Sequence, residues 1–539
     1  MPSLHWQGKE KVINHHLEVP FRVLEHQYGF NNGKQTKIET HSGNKIIHGD
    51  NLEALKALLP EYEGLIDCIE IDPPYNTGND RAPNKGWIYS DNVNHPKIKK
   101  WLGSMVGKEG EDLSRHDKWL CMMYPRLQLL YKLLSEEAII FIHIDDNEES
   151  NLRLIMDEIF GPLNFLRKIV WQRHAGGGND SKHYAVDHEY ILTYAKNKNK
   201  IGKIRLPLTE KEKASFKKID DNFNKWGPYK TKSFKRMRPE DPREGLQYII
   251  IAPDGTELFD EWKWEENEYK KGLQNGIVNI RKDRKNNWLV EYKLYLKYSN
   301  GLEDDDEREK VPRSMMLNTE RNSDAKKQLT NIFGKANLFN NPKPVGLIQS
   351  FLSQIKNKNA NILDSFSGSG TTAHAVLKLN QSDNGNRKFI LIEMENYAET
   401  ITAERIKRVI KGYGDDKGIV ASFDYYELGS NLFQEDGNLN ESVGIDKIRN
   451  YVYYSLTKTP LKTIENKDNK YFLNRHNDTA YYFFYEVKKL TTVNHKFLCT
   501  VKTKADQYVI FADNCLLTKD YMQKHNIIFK KIPRDITRF

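Results

Sequence analysis

An open α/β sheet, interrupted by an inserted unit and followed by a third, α+β unit, is the architecture that this 539-residue sequence predicts. Three observations predict it. Apolar strand-like runs alternate with helical periodicity over residues 41–199. That alternation stops near residue 197. It resumes at residue 341 as helix, strand, glycine turn, helix and strand.

The elements follow in order. Residues 1–40 read as an N-terminal extension. The run NKIIHGDNLEALKALL (44–59) is a short strand, a turn at Gly49-Asp50, and a helix with Leu52, Leu55, Leu58 and Leu59 on one face. IDCIEI is a strand that stops at Asp72-Pro73-Pro74. After a polar loop (76–115), KWLCMMYPRLQLLYKLL is a helix, with a kink or break expected at Pro125. AIIFIHID (138–145) is a nearly continuous apolar run, as a strand buried on both faces requires. EESNLRLIMDEIF is a helix, and FLRKIVWQ and HEYILTYAK are strands around the Gly176–Gly178 loop.

Residues 200–335 form the inserted unit. Its 201–240 stretch has 12 Lys plus Arg against 5 Asp plus Glu, with Phe216, Phe223, Trp226, Tyr229 and Phe234 interleaved. That mixture suits phosphate contact and base stacking. EDDDERE (303–309) reads as a solvated loop. Residues 336–412 restore the α/β pattern, and 413–539 form the third unit.

Hydrophobic residues make up 38% of the chain, enough for ordinary cores. No run approaches the ~18 apolar residues of a membrane span, and the N-terminus lacks a signal-peptide core, so a cytoplasmic protein with no membrane partner is expected. The four cysteines, Cys68, Cys121, Cys499 and Cys515, show no metal-ligand spacing, so no metal is expected. Net charge is +9, modest for this length.

The turn Asp364-Ser-Phe-Ser-Gly368-Ser-Gly370-Thr371-Thr372-Ala373 follows a strand and opens a helix. Gly368-x-Gly370-x-x-Ala373 meets the dinucleotide fingerprint, and Glu393 ends the next strand 25 residues after Gly368, where a carboxylate can accept two ribose hydroxyls. A nucleoside ligand is therefore expected. Nicotinamide dinucleotide and S-adenosylmethionine are both candidates. A pyrophosphate wants the helix N-terminus clear of negative charge, whereas Asp364 suits a cationic ligand with an amino group, which favours S-adenosylmethionine.

Asp72-Pro73-Pro74-Tyr75 fits a second requirement. An exocyclic amine on a base is a poor nucleophile, because its lone pair is conjugated into the ring. Two acceptors that hold both N–H bonds, the Asp72 carboxylate and the Pro73 carbonyl, would aim that lone pair at a methyl donor. The prolines stiffen the backbone and end the strand at a sheet edge, and Tyr75 gives an extruded base a ring to stack on.

These two motifs together resemble the S-adenosylmethionine-dependent amino-methyltransferases of DNA. Asp72-Pro73-Pro74-Tyr75 looks like their catalytic motif, and Phe366-Ser367-Gly368-Ser369-Gly370 like their cofactor motif. The catalytic motif comes first, with an insertion between the two, as in the circularly permuted β class. HWQGKE, FIHIDDNE, NPKPVGLI and ERIKRVI are similar to segments of the modification subunits of type III restriction-modification systems. The resemblance implies a Rossmann-like methyltransferase sheet, with Asp72 pointing to N6 of adenine rather than N4 of cytosine. It carries cofactor roles to Asp50, Lys343, Asp364, Phe366, Gly368, Gly370, Thr371, Thr372 and Glu393, with Glu395 a second ribose candidate. It makes the insertion a target-recognition domain on double-stranded DNA and gives the tail an assembly role. A homodimer is expected, and restriction would need a separate helicase-nuclease chain. The competing readings are a cytosine-N4 enzyme and a nicotinamide-dependent oxidoreductase.

Overall fold

The computed structural model describes residues 4–77, 114–176, 182–238, 240–299, 307–317, 319–461 and 470–534, with positions 100, 103, 302 and 303. The chain folds as two compact units: Met1–Lys203 with Arg313–Phe539, and Ile204–Pro312.

The larger unit is built on an eleven-stranded sheet. In chain order the strands are β1 (Arg22–Asn31), β2 (Lys34–Thr36), β3 (Lys45–His48), β4 (Ile66–Ile71), β5 (Leu134–Ile144), β6 (Phe165–Gln172), β7 (His188–Ala195), β8 (Met315–Met316), β9 (Asn361–Asp364), β10 (Lys388–Glu393) and β11 (Ser422–Asn431). Across the sheet they run β8-β6-β7-β5-β4-β9-β10-β3-β11-β1-β2. From β5 to β11 every neighbour is parallel. Strands β7, β6, β1 and β2 join antiparallel at the two sides.

Strands β4 and β9 are far apart in sequence yet adjacent, with Ile362 opposite Cys68 and Leu363 opposite Ile69. The chain leaves β4 toward β5 on one side and β9 toward β10 on the other. Their common carboxyl end is thus a topological switch point, where open α/β sheets bind ligands.

Alternation along β5 covers both faces of the sheet. Ile140, Ile142 and Ile144 enter a core with residues of the helices Asn51–Tyr62, Arg115–Leu133 and Glu149–Phe160. Phe141 stacks instead on Phe351 of the Val345–Leu352 helix, at 5.0 Å. Pro125 breaks nothing: it lies inside one continuous Arg115–Leu133 helix. Among the described residues no helix is long and apolar enough to cross a membrane.

The boundaries differ from the sequence reading in three places. The expected extension 1–40 supplies β1 and β2. The insertion is Ile204–Pro312 rather than 200–335, because Met315 and Met316 pair with Val170 and Trp171 at the sheet edge. The tail does not begin cleanly at 413: β11 lies in the main sheet between β3 and β1, with Phe423, Asp424, Tyr425 and Tyr426 buried. Beyond β11 a helix, Ile445–Thr457, precedes a separate four-stranded sheet over Phe472–Lys531.

The inserted unit holds a three-stranded sheet (Val278–Lys282, Trp288–Tyr295, Tyr229–Ser233), a hairpin (Gln247–Ile251 with Glu257–Glu261) and a helix (Glu266–Gln274). Its aromatics correct the stacking expectation. Phe234 is fully buried against Trp262, Trp264 and Tyr269, and Trp226 packs on Tyr295, so these rings make the unit's own core. Phe223 remains exposed. Residues 304–306 of the acidic run lie outside the described residues.

Candidate active site

At the shared carboxyl end of β4 and β9 lies a cavity of about 320 Å³. Asp72, Pro73 and Tyr75 line it from β4, and Asp364, Phe366, Ser367, Gly368, Ser369, Thr371 and Thr372 line it from β9 and its turn. Glu70, Thr77, Asp145, Arg173, Glu189, Ile348 and the segment Phe339–Lys343 complete the wall. The two motifs, some 290 residues apart in the chain, therefore meet in one space.

The catalytic motif is held rigidly. Of its two proline carbonyls, that of Pro74 accepts Trp119 Nε1 at 2.7 Å, and Pro74 is not a lining residue. Tyr75 is buried, and its hydroxyl donates to Glu189 Oε2 at 3.0 Å. Burial, reinforced by Asp72 and Glu189, keeps that hydroxyl protonated, well above its ordinary range. Asn76 then turns the chain away with φ 56°, and Glu148, itself fully buried, receives its side-chain amide. An asparagine tolerates this left-handed conformation better than most residues. The loop from 78 to 99 lies outside the described residues.

Lys343 bridges the two motifs: its carbonyl accepts the Thr371 hydroxyl of the glycine turn at 3.1 Å, while its side chain reaches the catalytic motif. Its ammonium donates to Asp72 Oδ2 at 2.6 Å and to the Tyr75 hydroxyl at 2.9 Å, with Glu189 at 3.6 Å. Burial works against this charge, but Asp72 and Glu189 outweigh it and raise the pKa.

The glycine turn needs its glycines. Gly370 has φ 78°, and a Cβ there would stand 3.2 Å from the Thr402 carbonyl. Gly368 donates its N–H to Glu393 Oε2 at 2.8 Å, and Thr402 donates to the Gly368 carbonyl at 2.6 Å. Buried Arg405 donates to the Ser369 carbonyl and hydroxyl and to the Thr371 hydroxyl, bracing the turn from behind. Asp364 accepts Thr372 Oγ1 at 2.6 Å, and the same hydroxyl lies 2.9 Å from Glu70 Oε2. Burial first, and the Glu70 charge second, push the Asp364 carboxyl well above the usual carboxylate range.

Three expected cofactor residues do not line the cavity. Glu393 is buried beneath the turn, with its oxygens taken by the backbone N–H groups of Gly368 and Glu395, and burial raises its pKa to about 7. Asp50 caps the Asn51–Tyr62 helix, accepting from Leu52 and Glu53 N–H, and pairs with Arg126 at 3.6 Å. Gly370 lies one residue inside the wall. Sequence reasoning does not assign Glu70, Asp145, Arg173 or Glu189 to this cavity; it notes Arg173 only as a charge beside the Gly176–Gly178 loop, which either closes over DNA or is a connector. Arg173 and Glu189 reach the site because β7 runs antiparallel to β5 and β6, which sets the start of β7 and the end of β6 beside the ends of the parallel strands. Only pairing direction carries that signal.

Among the described lining residues, five carboxylates (Glu70, Asp72, Asp145, Glu189, Asp364) face two cations (Arg173, Lys343). Such a cavity favours a cationic ligand and repels a pyrophosphate.

A family described as DNA methylase matches residues 66–404. The chain belongs to this family. The StyLTI Mod subunit of a type III restriction-modification enzyme, from Salmonella typhimurium, is 35% identical over 68% of this chain and 57% of its own length. The EcoPI Mod subunit of Escherichia phage P1 is 33% identical over 73% of this chain and 63% of its own length. The type II methyltransferase M.KpnI of Klebsiella pneumoniae is 30% identical over 65% of this chain and 81% of its own length. The chain thus spans less than two-thirds of the length of either Mod subunit.

Proposed function

We propose that this chain transfers a methyl group from S-adenosylmethionine to N6 of an adenine extruded from double-stranded DNA, as the modification subunit of a type III restriction-modification system. The observation that carries the reading is the single cavity shared by Asp72 and Tyr75 with Asp364 and Gly368.

The residues present fit the methyl donor. When bound, S-adenosylmethionine supplies an electrophilic methyl on a sulfonium. Asp364 and the surplus of carboxylates suit its cationic groups, and Phe366, Ser367, Gly368, Ser369, Thr371 and Thr372 would hold its methionine part at the helix N-terminus. Glu393 and Arg405 keep the turn in shape. Asp72 and the Pro73 carbonyl accept the two amino hydrogens of the base, and Tyr75 stacks on its ring. Lys343 donates to Asp72 and orients it, so that a hydrogen-bond acceptor faces the amine, and Asp72 receives the proton that the amine loses. The rate gain comes from position and hydrogen bonding, without a covalent intermediate on the enzyme. The same surplus of negative charge disfavours a nicotinamide dinucleotide.

The inserted unit is the target-recognition domain in this reading. It carries a groove of about 750 Å³ lined by Lys230, Lys232, Lys271, Lys293, Arg308 and Lys310. The protein works in the cytoplasm on DNA, as a homodimer, with restriction supplied by a separate chain.

The test is Asp72→Ala. Methyl incorporation into mixed duplex DNA should fall by at least ~10²–10³-fold, the scale for losing one preorganised hydrogen-bonding group. Calorimetric affinity for S-adenosylmethionine should stay within a few-fold. Full activity of the variant would remove Asp72 from the chemistry.

A further inference from the structure

Arg173 and Glu189, which neither motif includes, share the cavity with Asp72 and Tyr75. Pairing of Ile144 with Tyr190 sets Glu189 at the end of β5, and pairing of Gln172 with His188 brings Arg173 off β6 next to it. Glu189 is 3% exposed. It accepts the Tyr75 hydroxyl at 3.0 Å through one oxygen and Arg173 Nη1 at 2.8 Å through the other. One buried carboxylate therefore ties an aromatic ring and a guanidinium into a single rigid piece of wall. The ion pair engages only part of the guanidinium fork: Arg173 Nε is buried and donates to no acceptor among the described residues. That Nε has no surface for a ligand to reach, but the side chain as a whole is 28% exposed and lines the cavity, so the rest of the fork is the part open to an acceptor.

A base whose 6-amino group is held by Asp72 brings such an acceptor. In adenine, ring nitrogens N1 and N7 lie on either side of the amino-bearing carbon, and both are acceptors. Resting on the adenine reading above, we propose that Arg173 is a specificity-determining contact to the extruded base: its guanidinium donates to N1 or N7 of an adenine stacked on Tyr75, and Glu189 aims it. Guanine presents a carbonyl to Asp72 whichever nitrogen Arg173 reads, and where that nitrogen is N1 it also sets an N1–H donor against this donor. Pyrimidines lack the second ring and leave one of the two positions empty.

The test uses the full chain, S-adenosylmethionine and duplexes containing the methylated site, identified beforehand by sequencing modified DNA. The target position carries adenine, 1-deazaadenine or 7-deazaadenine, in every case opposite an abasic site, so that no difference in base pairing enters the cost of extrusion. The wild-type chain should lose 10- to 100-fold in kcat/KM on one of the two analogues, which also tells N1 from N7. Arg173→Met should lose a similar factor on adenine and show no further loss on that analogue, while Arg173→Lys, which keeps a donor, recovers part of it. Equal rates of the wild-type chain on all three bases overturn the proposal, whatever the variants do. So does an analogue penalty that persists in full in Arg173→Met. Failure of the wild-type chain to methylate adenine itself would instead overturn the methyltransferase reading on which the proposal rests.

Discussion

Asp364 is the residue whose state depends most on what fills the cavity. Burial and Glu70 hold its carboxyl above the usual range, so in the ligand-free chain it gives up its proton at higher pH than an ordinary aspartate. A cationic amino group needs the ionised form. The sign follows: binding of S-adenosylmethionine releases a proton, and affinity falls as pH drops below the raised pKa. Titration calorimetry in buffers of different ionisation enthalpy should detect that release. Asp364→Asn should abolish it and weaken binding by about 1.5–3 kcal/mol, the worth of a hydrogen bond to a charged group. Unchanged proton release in the variant would assign the titration elsewhere. At this scale the sequence was informative wherever a residue acts through its neighbours in the chain. Asp72, Tyr75 and the glycine turn announced themselves by local pattern. Lys343 was legible as a site residue but not as the partner of Asp72, because that 2.6 Å contact spans 271 positions. Glu189 was not legible at all: a glutamate at the start of a strand reads as an ordinary exposed edge.

At the scale of elements, the turn between β9 and the Thr371–Asp383 helix is the part least able to change. Gly370→Ala forces an L-residue into φ 78° and drives a methyl toward the Thr402 carbonyl. A left-handed residue costs ~1–2 kcal/mol, and the collision adds to it. The expected outcome is a lowered unfolding midpoint together with weaker S-adenosylmethionine binding, measured by thermal denaturation with and without the ligand. A variant that binds normally would show that the turn tolerates a Cβ. The parallel strands and their helices were legible because buried parallel strands are continuously apolar and amphipathic helices are periodic. The edges were not. β2 and β8 are short edge strands, and β1 and β11 mix buried with exposed residues, so nothing in their composition tells a sheet strand from an extension or a tail. Likewise, the rings of the 201–240 stretch looked available for stacking, yet Phe234 and Trp226 each close a small apolar cluster of the inserted unit.

At the scale of the molecule, charge is distributed unevenly between sites of opposite sign. Among the charged lining residues, carboxylates outnumber cations in the cavity of the larger unit, whereas six cations outnumber three glutamates (Glu212, Glu268, Glu309) in the groove of the inserted unit. Lys310 and Lys293 of that groove are paired with Glu212 and Asp220. Lys230 is different: partial burial and the nearby Lys232 and Arg308 lower its pKa, so an anion placed there would relieve mutual repulsion. If the groove contacts DNA phosphates, Lys230→Ala and Lys232→Ala should each reduce the slope of log affinity against log salt by about 1, uniformly across DNA sequences. A slope that does not move would place the phosphate contacts on another face. Strand order also has a consequence in time. β1 pairs with β2 on one side and with β11 on the other, not with β3, so its inner edge has no strand partner until residue 431 has been made. At ~5–20 residues per second, translation leaves that edge unpaired for roughly 20–80 s. During that interval it is open to chaperones or to pairing with another nascent copy, and the sheet closes only once β11 has been made.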